Sequence, residues 1–121
     1  MKTLAFILAF FASFAAHAEW VEVVKSADQS TIVQGKNLKK TATGAEMMTK
    51  WTYHKEISFY ISTLSAKDCA NGYGEILYRD MSGRIADRSD YVSSGGTIAS
   101  EIGDWLCLFL AISGTTKGKS L

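Results

Sequence analysis

Apolar and polar residues alternate most clearly between Met47 and His54. A period of two places successive side chains on opposite sides of an extended chain, so this stretch predicts a half-buried β-strand. The same alternation returns between Ile57 and Ser62 and predicts another strand soon after the first. The two strands are close enough in the chain to pair as an antiparallel hairpin.

Shorter β-rich segments lie on both sides of this pair and are separated by turn-forming residues. We expect Gly35 to end the second of them, and Asp80–Gly83 is a suitable hairpin turn between the last two. Ser65–Asp68 has the composition of a loop. The four further predicted strands are Glu19–Lys25, Thr31–Gln34, Tyr73–Arg79 and Arg84–Tyr91.

The period changes in the C-terminal part of the chain. Apolar residues recur there at the spacing of one helical face, from Ile98 to Phe109, with Thr97 as the expected N-cap and Gly114 past the end. Residues 115–121 are expected to form a flexible tail. The fold class is therefore α+β: an antiparallel sheet of about six short strands with one C-terminal helix packed on it.

Residues 1–18 have the organisation of a secretory signal peptide. Lys2 is followed by the apolar stretch Leu4–Phe14 and by the small-residue cleavage site Ala16-His17-Ala18. The apolar stretch is too short to span a bilayer. The next residue is Glu19 rather than a cysteine, so we expect an exported protein, periplasmic or secreted, without a lipid anchor. Residues 19–114 are expected to form a single domain.

Cys69 and Cys107 are the two cysteines of the chain, and both follow the predicted signal peptide. Export to an oxidising compartment favours an intramolecular disulfide between them. A catalytic thiolate would need a reduced cysteine, a base such as His54 and a third orienting group. The sequence therefore predicts a bridge that ties the loop before one strand to the C-terminal helix.

Composition and motifs exclude several classes of function. The formal net charge is +1, with 13 basic and 12 acidic residues, which is too balanced for a nucleic-acid-binding protein. No phosphate-binding loop, nucleophile elbow or zinc-ligand motif is present in the sequence. We therefore predict neither catalysis, nor a cofactor, nor a metal, nor a transmembrane segment in the mature chain.

Two groups of basic residues are candidate binding residues. Lysines crowd a short polar segment, and arginines surround the predicted Asp80–Gly83 turn, where Arg79 and Arg84 are expected to approach across the hairpin. Such charges either protect a sheet edge from aggregation or attract a protein partner. The six residues are Lys36, Lys39, Lys40, Arg79, Arg84 and Arg88.

Several landmarks occur in a recognisable order. After the signal peptide these are Trp20, the strand Met48–Thr52 with its internal Trp51, the Asp68-Cys69 pair, Tyr78 and Gly83 of a hairpin, and the helix segment Trp105–Cys107. This order resembles the bacterial surface-adhesin protein E family of small exported domains from Gram-negative bacteria. The resemblance implies an antiparallel sheet, a C-terminal helix and one disulfide joining them.

The resemblance also implies adhesin-like binding of host matrix or serum proteins. The adhesin of that family is lipid-anchored, and this chain departs from it at Glu19. The sequence thus leads to a non-catalytic exported binding module that recognises a protein. The alternative is a periplasmic inhibitor or accessory protein acting on a cell-envelope enzyme.

Overall fold

The structure is a computed structural model that describes residues 19–119, with side chains as far as residue 113. The predicted signal peptide, residues 1–18, lies outside the described residues. The elements of the described part are β1 (Val21–Lys25), β2 (Thr31–Lys40), β3 (Gly44–Tyr53), β4 (Glu56–Ser65), α1 (Ala66–Asn71), β5 (Tyr73–Arg79), β6 (Ile85–Val92) and α2 (Ile98–Lys119).

The six strands form one sheet whose spatial order, β1-β2-β3-β4-β5-β6, is the order of the chain. Every neighbouring pair is antiparallel. Tight turns make this possible: His54 adopts a positive φ of 54° between β3 and β4, and Gly83 one of 92° between β5 and β6. The predicted α+β class and the sheet of about six strands are confirmed.

One side of the sheet carries the core. Val33, Met47, Ile76 and Tyr91 project from it and are buried, in one cluster with Ile102 of α2. Helix α2 begins as predicted, because Thr97 Oγ1 accepts a hydrogen bond from Ser100 N (3.0 Å). The helix does not end before Gly114, however, but continues to Lys119. The remaining buried core residues are Val23, Ala45, Leu64, Tyr78 and Leu106.

The expectation that Gly35 ends the second strand is wrong. Strand β2 continues to Lys40, with an irregularity in its pairing to β3 between Lys36 and Lys39 and with Asn37 at a φ of 57°. Gly35 stays in the ladder opposite Thr49. A β-carbon at this position would collide with the sulfur of Met47, which explains why the residue is a glycine. The glycine therefore makes room for a core side chain and does not form a turn.

The predicted loop at Ser65–Asp68 is also wrong, because α1 occupies it. Ser65 Oγ caps this short helix by accepting from Asp68 N (3.1 Å), and Gly72 ends it with a φ of 81°. The helix has 6 residues, fewer than two turns, so it has no apolar period to recognise.

The predicted disulfide is confirmed. Cys69 of α1 is bonded to Cys107 of α2, with their Cα atoms 5.4 Å apart. The bond holds the helix that separates β4 from β5 against the helix that covers the core.

Candidate functional site on the open face of the sheet

The side of the sheet opposite the core, which we call the open face, is the strongest candidate for a binding site. Its side chains alternate along each strand with those of the core. None of them is among the buried residues of the described chain. The cross-strand register places on this face Gln34, Lys36, Lys39, Glu46, Met48, Lys50, Phe59, Ile61, Glu75, Leu77, Arg79 and Arg88.

The centre of the open face is apolar. Met48 of β3 lies directly opposite Ile61 of β4. Beside them, Phe59 is 44% exposed and Ile57 52% exposed. Strand β4 thus presents Ile57 and Phe59 to solvent, while Ser62 and Leu64 of the same strand are buried on the core side. Exposed apolar groups that lie together mark interaction surfaces more often than scattered ones do.

Trp20 and two lysines flank this centre on one side. Trp20, which precedes β1, lies 6.0 Å from Phe59 between ring centroids. The Nζ atom of Lys36 lies 4.5 Å above the Trp20 ring, and that of Lys50 lies 5.8 Å from it. Cation–π contacts of this kind hold the long lysine side chains over the sheet. Positive charge is therefore concentrated beside exposed aromatic surface.

Two arginines flank the centre on the other side. Arg79 is opposite Ile61, and Arg88 is opposite Leu77. Both line a cavity of about 400 Å³ that Glu46 and Glu75 also line.

Glu46 and Glu75, the carboxylates on the arginine side of the open face, are held in exposed ion pairs. Arg88 Nη1 lies 3.1 Å from Glu75 Oε1, and Lys39 Nζ lies 3.6 Å from Glu46 Oε2. Exposed ion pairs contribute only about 0–1 kcal/mol. A partner's carboxylates can therefore replace those of Glu46 and Glu75 at small cost.

The structure brings four of the six predicted basic residues to the open face: Lys36, Lys39, Arg79 and Arg88. The other two lie elsewhere. Lys40 is opposite Ala45, and its position is therefore on the core side of the sheet. Arg84 belongs to the β5–β6 turn.

Arg79 and Arg84 do not form a cross-strand pair as expected. An irregularity in the pairing places Ile85 opposite Arg79. Arg79 Nη1 instead donates to the carbonyl oxygen of Gly83 (3.1 Å). The two arginines therefore lie in different surroundings, one on the sheet and one in the turn.

The β5–β6 turn is held by the Asp80 carboxylate. Asp80 Oδ1 accepts hydrogen bonds from Ser82 Oγ (2.6 Å), Ser82 N (2.9 Å) and Arg84 N (3.1 Å). The bonds from Ser82 Oγ and Arg84 N are the main cause of a pKa for Asp80 below its usual value. Met81, at the tip, is 52% exposed on this ordered turn.

Sequence reasoning missed Lys50, Trp20 and Phe59 as members of the site. The alternation in β3 does place Lys50 on the same side as Met48, and this is the signal that identifies it. Trp20 gives no such signal, because a tryptophan next to a strand is expected in the core.

The described residues offer few groups for metal binding or for nucleophilic chemistry. No three His, Cys, Asp or Glu side chains among them are placed to hold a metal ion. Both cysteines are in the disulfide, and His54 lies in the β3–β4 turn with its ring 4.3 Å from that of Tyr53. No helix in the described part of the chain is long and apolar enough to cross a membrane.

Comparison of the chain with protein-family models, with curated proteins and with solved structures found no match. The function is therefore inferred from the geometry of the open face and from the sequence.

Proposed function

We propose that this protein is an exported, non-catalytic binding module that recognises a protein partner through the open face of its sheet. One observation carries the proposal: an apolar centre with exposed Phe59 and Ile57 is flanked on both sides by cationic side chains. Protein interfaces combine an apolar, aromatic-rich core with a polar rim in this way. Arginine is also enriched in such interfaces.

The charges of the open face define the chemistry of the partner. The chain has a formal net charge of only +1, so attraction has to be local. Charges beyond about 8–10 Å are largely screened at physiological salt. Arg79 and Arg88 suit carboxylates, because a guanidinium binds a carboxylate with two parallel hydrogen bonds. The expected partner surface has an apolar side chain surrounded by Asp or Glu residues.

The sequence supports the proposed cellular location of the protein and the proposed type of partner. The signal-peptide pattern of residues 1–18 supports a location in the periplasm or outside the cell, and Glu19 argues against a lipid anchor. The resemblance to the surface-adhesin protein E family favours a host matrix or serum protein. An envelope protein of the same cell is the other source of a partner.

Photo-crosslinking tests the proposal. Residues 19–121 are produced with a photoreactive phenylalanine at position 59 and exposed to periplasmic extract and to serum. A control carries the same group at Leu108, which is 58% exposed on α2. We expect a protein that crosslinks from position 59 and not from position 108. Equal crosslinking from both positions, or none from position 59, contradicts the proposal.

Two double variants with the same change in charge then test the role of the cations. Lys50→Ala with Arg79→Ala removes two cations from the open face, whereas Lys40→Ala with Arg84→Ala removes two from elsewhere. We expect the first to weaken binding of the crosslinked partner about 5- to 25-fold, mainly through a slower association rate. The second should change binding less than twofold. Equal effects of the two variants would contradict a role for the open face.

A second candidate function is inhibition of a cell-envelope enzyme by the β5–β6 turn. The observation that favours it is the exposed Met81 on a turn that Asp80 holds in one conformation. A preorganised loop loses little entropy on entering an active site. If this is the function, Met81→Ala abolishes inhibition of a cell-wall hydrolase, and the open-face double variant leaves it unchanged.

A further inference from the structure

The core side of the sheet contains a pocket that is separate from the open face. Strands β4 and β5 are in register over only three pairs, which begin with Ile61 and Arg79. Near the end of this pairing lies a pocket of about 240 Å³, which we call the aromatic pocket. No residue of α2 lines it. Its lining residues are Trp51, Tyr60, Tyr78, Asp87 and Ser89.

The three rings of the aromatic pocket stand at steep angles to one another. Trp51 makes an angle of 87° with Tyr78 and of 87° with Tyr60, at centroid distances of 5.5 and 6.4 Å. Tyr60 and Tyr78 are inclined at 62°. A flat platform on which a sugar or base stacks would need parallel, coplanar faces. Rings at right angles form adjacent walls instead, and such walls suit a compact cation that contacts several ring faces.

One wall of the pocket, the Trp51 indole, is fixed in place by hydrogen bonds. Trp51 Nε1 donates to Thr49 Oγ1 (3.0 Å), which lies 2.9 Å from Ser62 Oγ. Thr49 and Ser62 are fully buried. The indole therefore cannot swing out of the pocket without breaking a buried network, which makes the site preorganised for a ligand.

The polar groups of the pocket are mostly oxygen atoms that can accept hydrogen bonds. Tyr78 is only 4% exposed, and its Oη atom is a buried polar atom without a hydrogen-bond partner among the described residues. Burial raises the pKa of Tyr78, and the Asp87 carboxylate acts in the same direction, whereas the Ser89 hydroxyl opposes them. No lysine or arginine lines the pocket.

We infer that the aromatic pocket binds the primary ammonium group of a lysine side chain from a peptide or protein. The ring faces attract the positive charge, and the Asp87 carboxylate balances it. The N–H groups donate to the Ser89 hydroxyl and to the Asp87 carboxylate, which a quaternary ammonium cannot do. The inference does not depend on the proposed function, because the pocket shares no residue with the open face.

The test is a titration of residues 19–121 with N-acetyl-lysine methylamide, followed by the NMR signals of the three indole N–H groups. We expect the Trp51 signal to shift and those of Trp20 and Trp105 to stay. Trp20 is a control within the molecule, because Lys36 and Lys50 beside it repel a cation. N-acetyl-norleucine methylamide has a similar chain without the ammonium, and tetramethylammonium has the charge without N–H donors. Both compounds should bind at least fivefold more weakly than N-acetyl-lysine methylamide.

Two isosteric variants test the role of the carboxylate. Asp87→Asn is expected to weaken binding about fivefold at low salt, and its amide oxygen can still accept the hydrogen bond that Arg88 N donates to Asp87 Oδ1 (2.7 Å). Asp90→Asn on the same strand is the matched control and should have no effect. Equal binding of the norleucine compound, tighter binding of tetramethylammonium, equal effects of the two variants, or the absence of a Trp51 shift would each overturn the inference.

Discussion

The ring of Tyr91 occupies the space beside Gly103 that a β-carbon would need, and its hydroxyl donates to Asp104 Oδ1 (2.8 Å). Tyr91 is 2% exposed, so the whole ring is held between β6 and α2. The Asp104 carboxylate also accepts from the backbone N–H of Ser94 in the connection between the two elements. One glycine and its neighbour thus determine how closely the helix approaches the sheet.

The first prediction is that Gly103→Ala destabilises the protein, although alanine is the better helix former. The helix gains about 1 kcal/mol from the substitution. A methyl group that displaces the Tyr91 ring costs about 1–3 kcal/mol. Because Asp104 holds that ring in place, we expect a cost in the upper half of this range and a net loss of about 1–2 kcal/mol. Urea unfolding measures it. Glu101→Ala, at an exposed position of α2, should be nearly neutral; a gain in stability for Gly103→Ala would contradict the packing described.

The second prediction compares two buried tyrosines. Tyr78→Phe removes a buried hydroxyl that has no partner in the described chain, so stability should be unchanged or rise by up to about 1 kcal/mol. Tyr91→Phe removes the donor to Asp104 and should cost about 1–2 kcal/mol. Of the two variants, only Tyr91→Phe should therefore have a lower thermal midpoint. A similar loss in both variants would show that Tyr78 Oη makes a bond as strong as that of Tyr91.

The third prediction concerns the Cys69–Cys107 bond, which closes a loop with a sequence separation of 38 residues. Loop-closure entropy gives a contribution of about 4 kcal/mol. Cys69→Ser with Cys107→Ser should therefore lower the thermal midpoint by roughly 15–30 °C for a domain of this size. Reduction of the native protein should have the same effect and should not lower the midpoint of the double variant further. An unchanged midpoint would mean that the helices are held without the bond.

The fourth prediction concerns Asp28 in the β1–β2 turn. Its pKa is lowered to about 2, chiefly by hydrogen bonds from the backbone N–H and the hydroxyl of Ser30, and also from the Ser26 hydroxyl. A carboxyl whose pKa is lower in the folded state stabilises the fold above its ordinary pKa. That contribution is lost as the pH falls towards 2.

An NMR titration of the Asp28 carboxyl carbon measures this directly, and we expect a midpoint near 2. Asp28→Asn should make the fall in stability between pH 4 and pH 2 less steep. Asp90→Asn, an exposed change elsewhere, is the control and should leave the slope as it is. A midpoint for Asp28 near the ordinary value of 3.8 would show that the turn is open in solution.

The sheet, α2 and the disulfide could be predicted from the sequence because their signals are local or unique. Alternation over Met47–His54 identifies β3, the Asp80–Gly83 turn identifies the last hairpin, and two cysteines permit one intramolecular bridge. Helix α1 could not be predicted, since its one stabilising pattern, a serine cap and a terminal glycine, also occurs in turns.

The candidate site was harder to predict than the fold. Four of the six basic residues share the open face, but this depends on the register of β2 with β3 and on the irregularities near Lys36 and Arg79. A shift of one residue moves a side chain to the opposite side of a strand. The aromatic pocket combines residues from four strands, and no short sequence pattern indicates such a combination.

The agreement between strand order and chain order has a consequence for assembly. Each strand can pair with the strand made just before it, so no long loop has to be closed when the sheet forms. Strand pairing can therefore proceed quickly from the N-terminal end. Helix α2 is the exception, because it belongs to the last part of the chain and packs on β1, β2 and β3 near the beginning. Cys107 belongs to this helix and Cys69 to α1, so the native disulfide can form only after the chain has been made as far as Cys107. Oxidation to the native disulfide therefore becomes possible only after every strand of the sheet has been made.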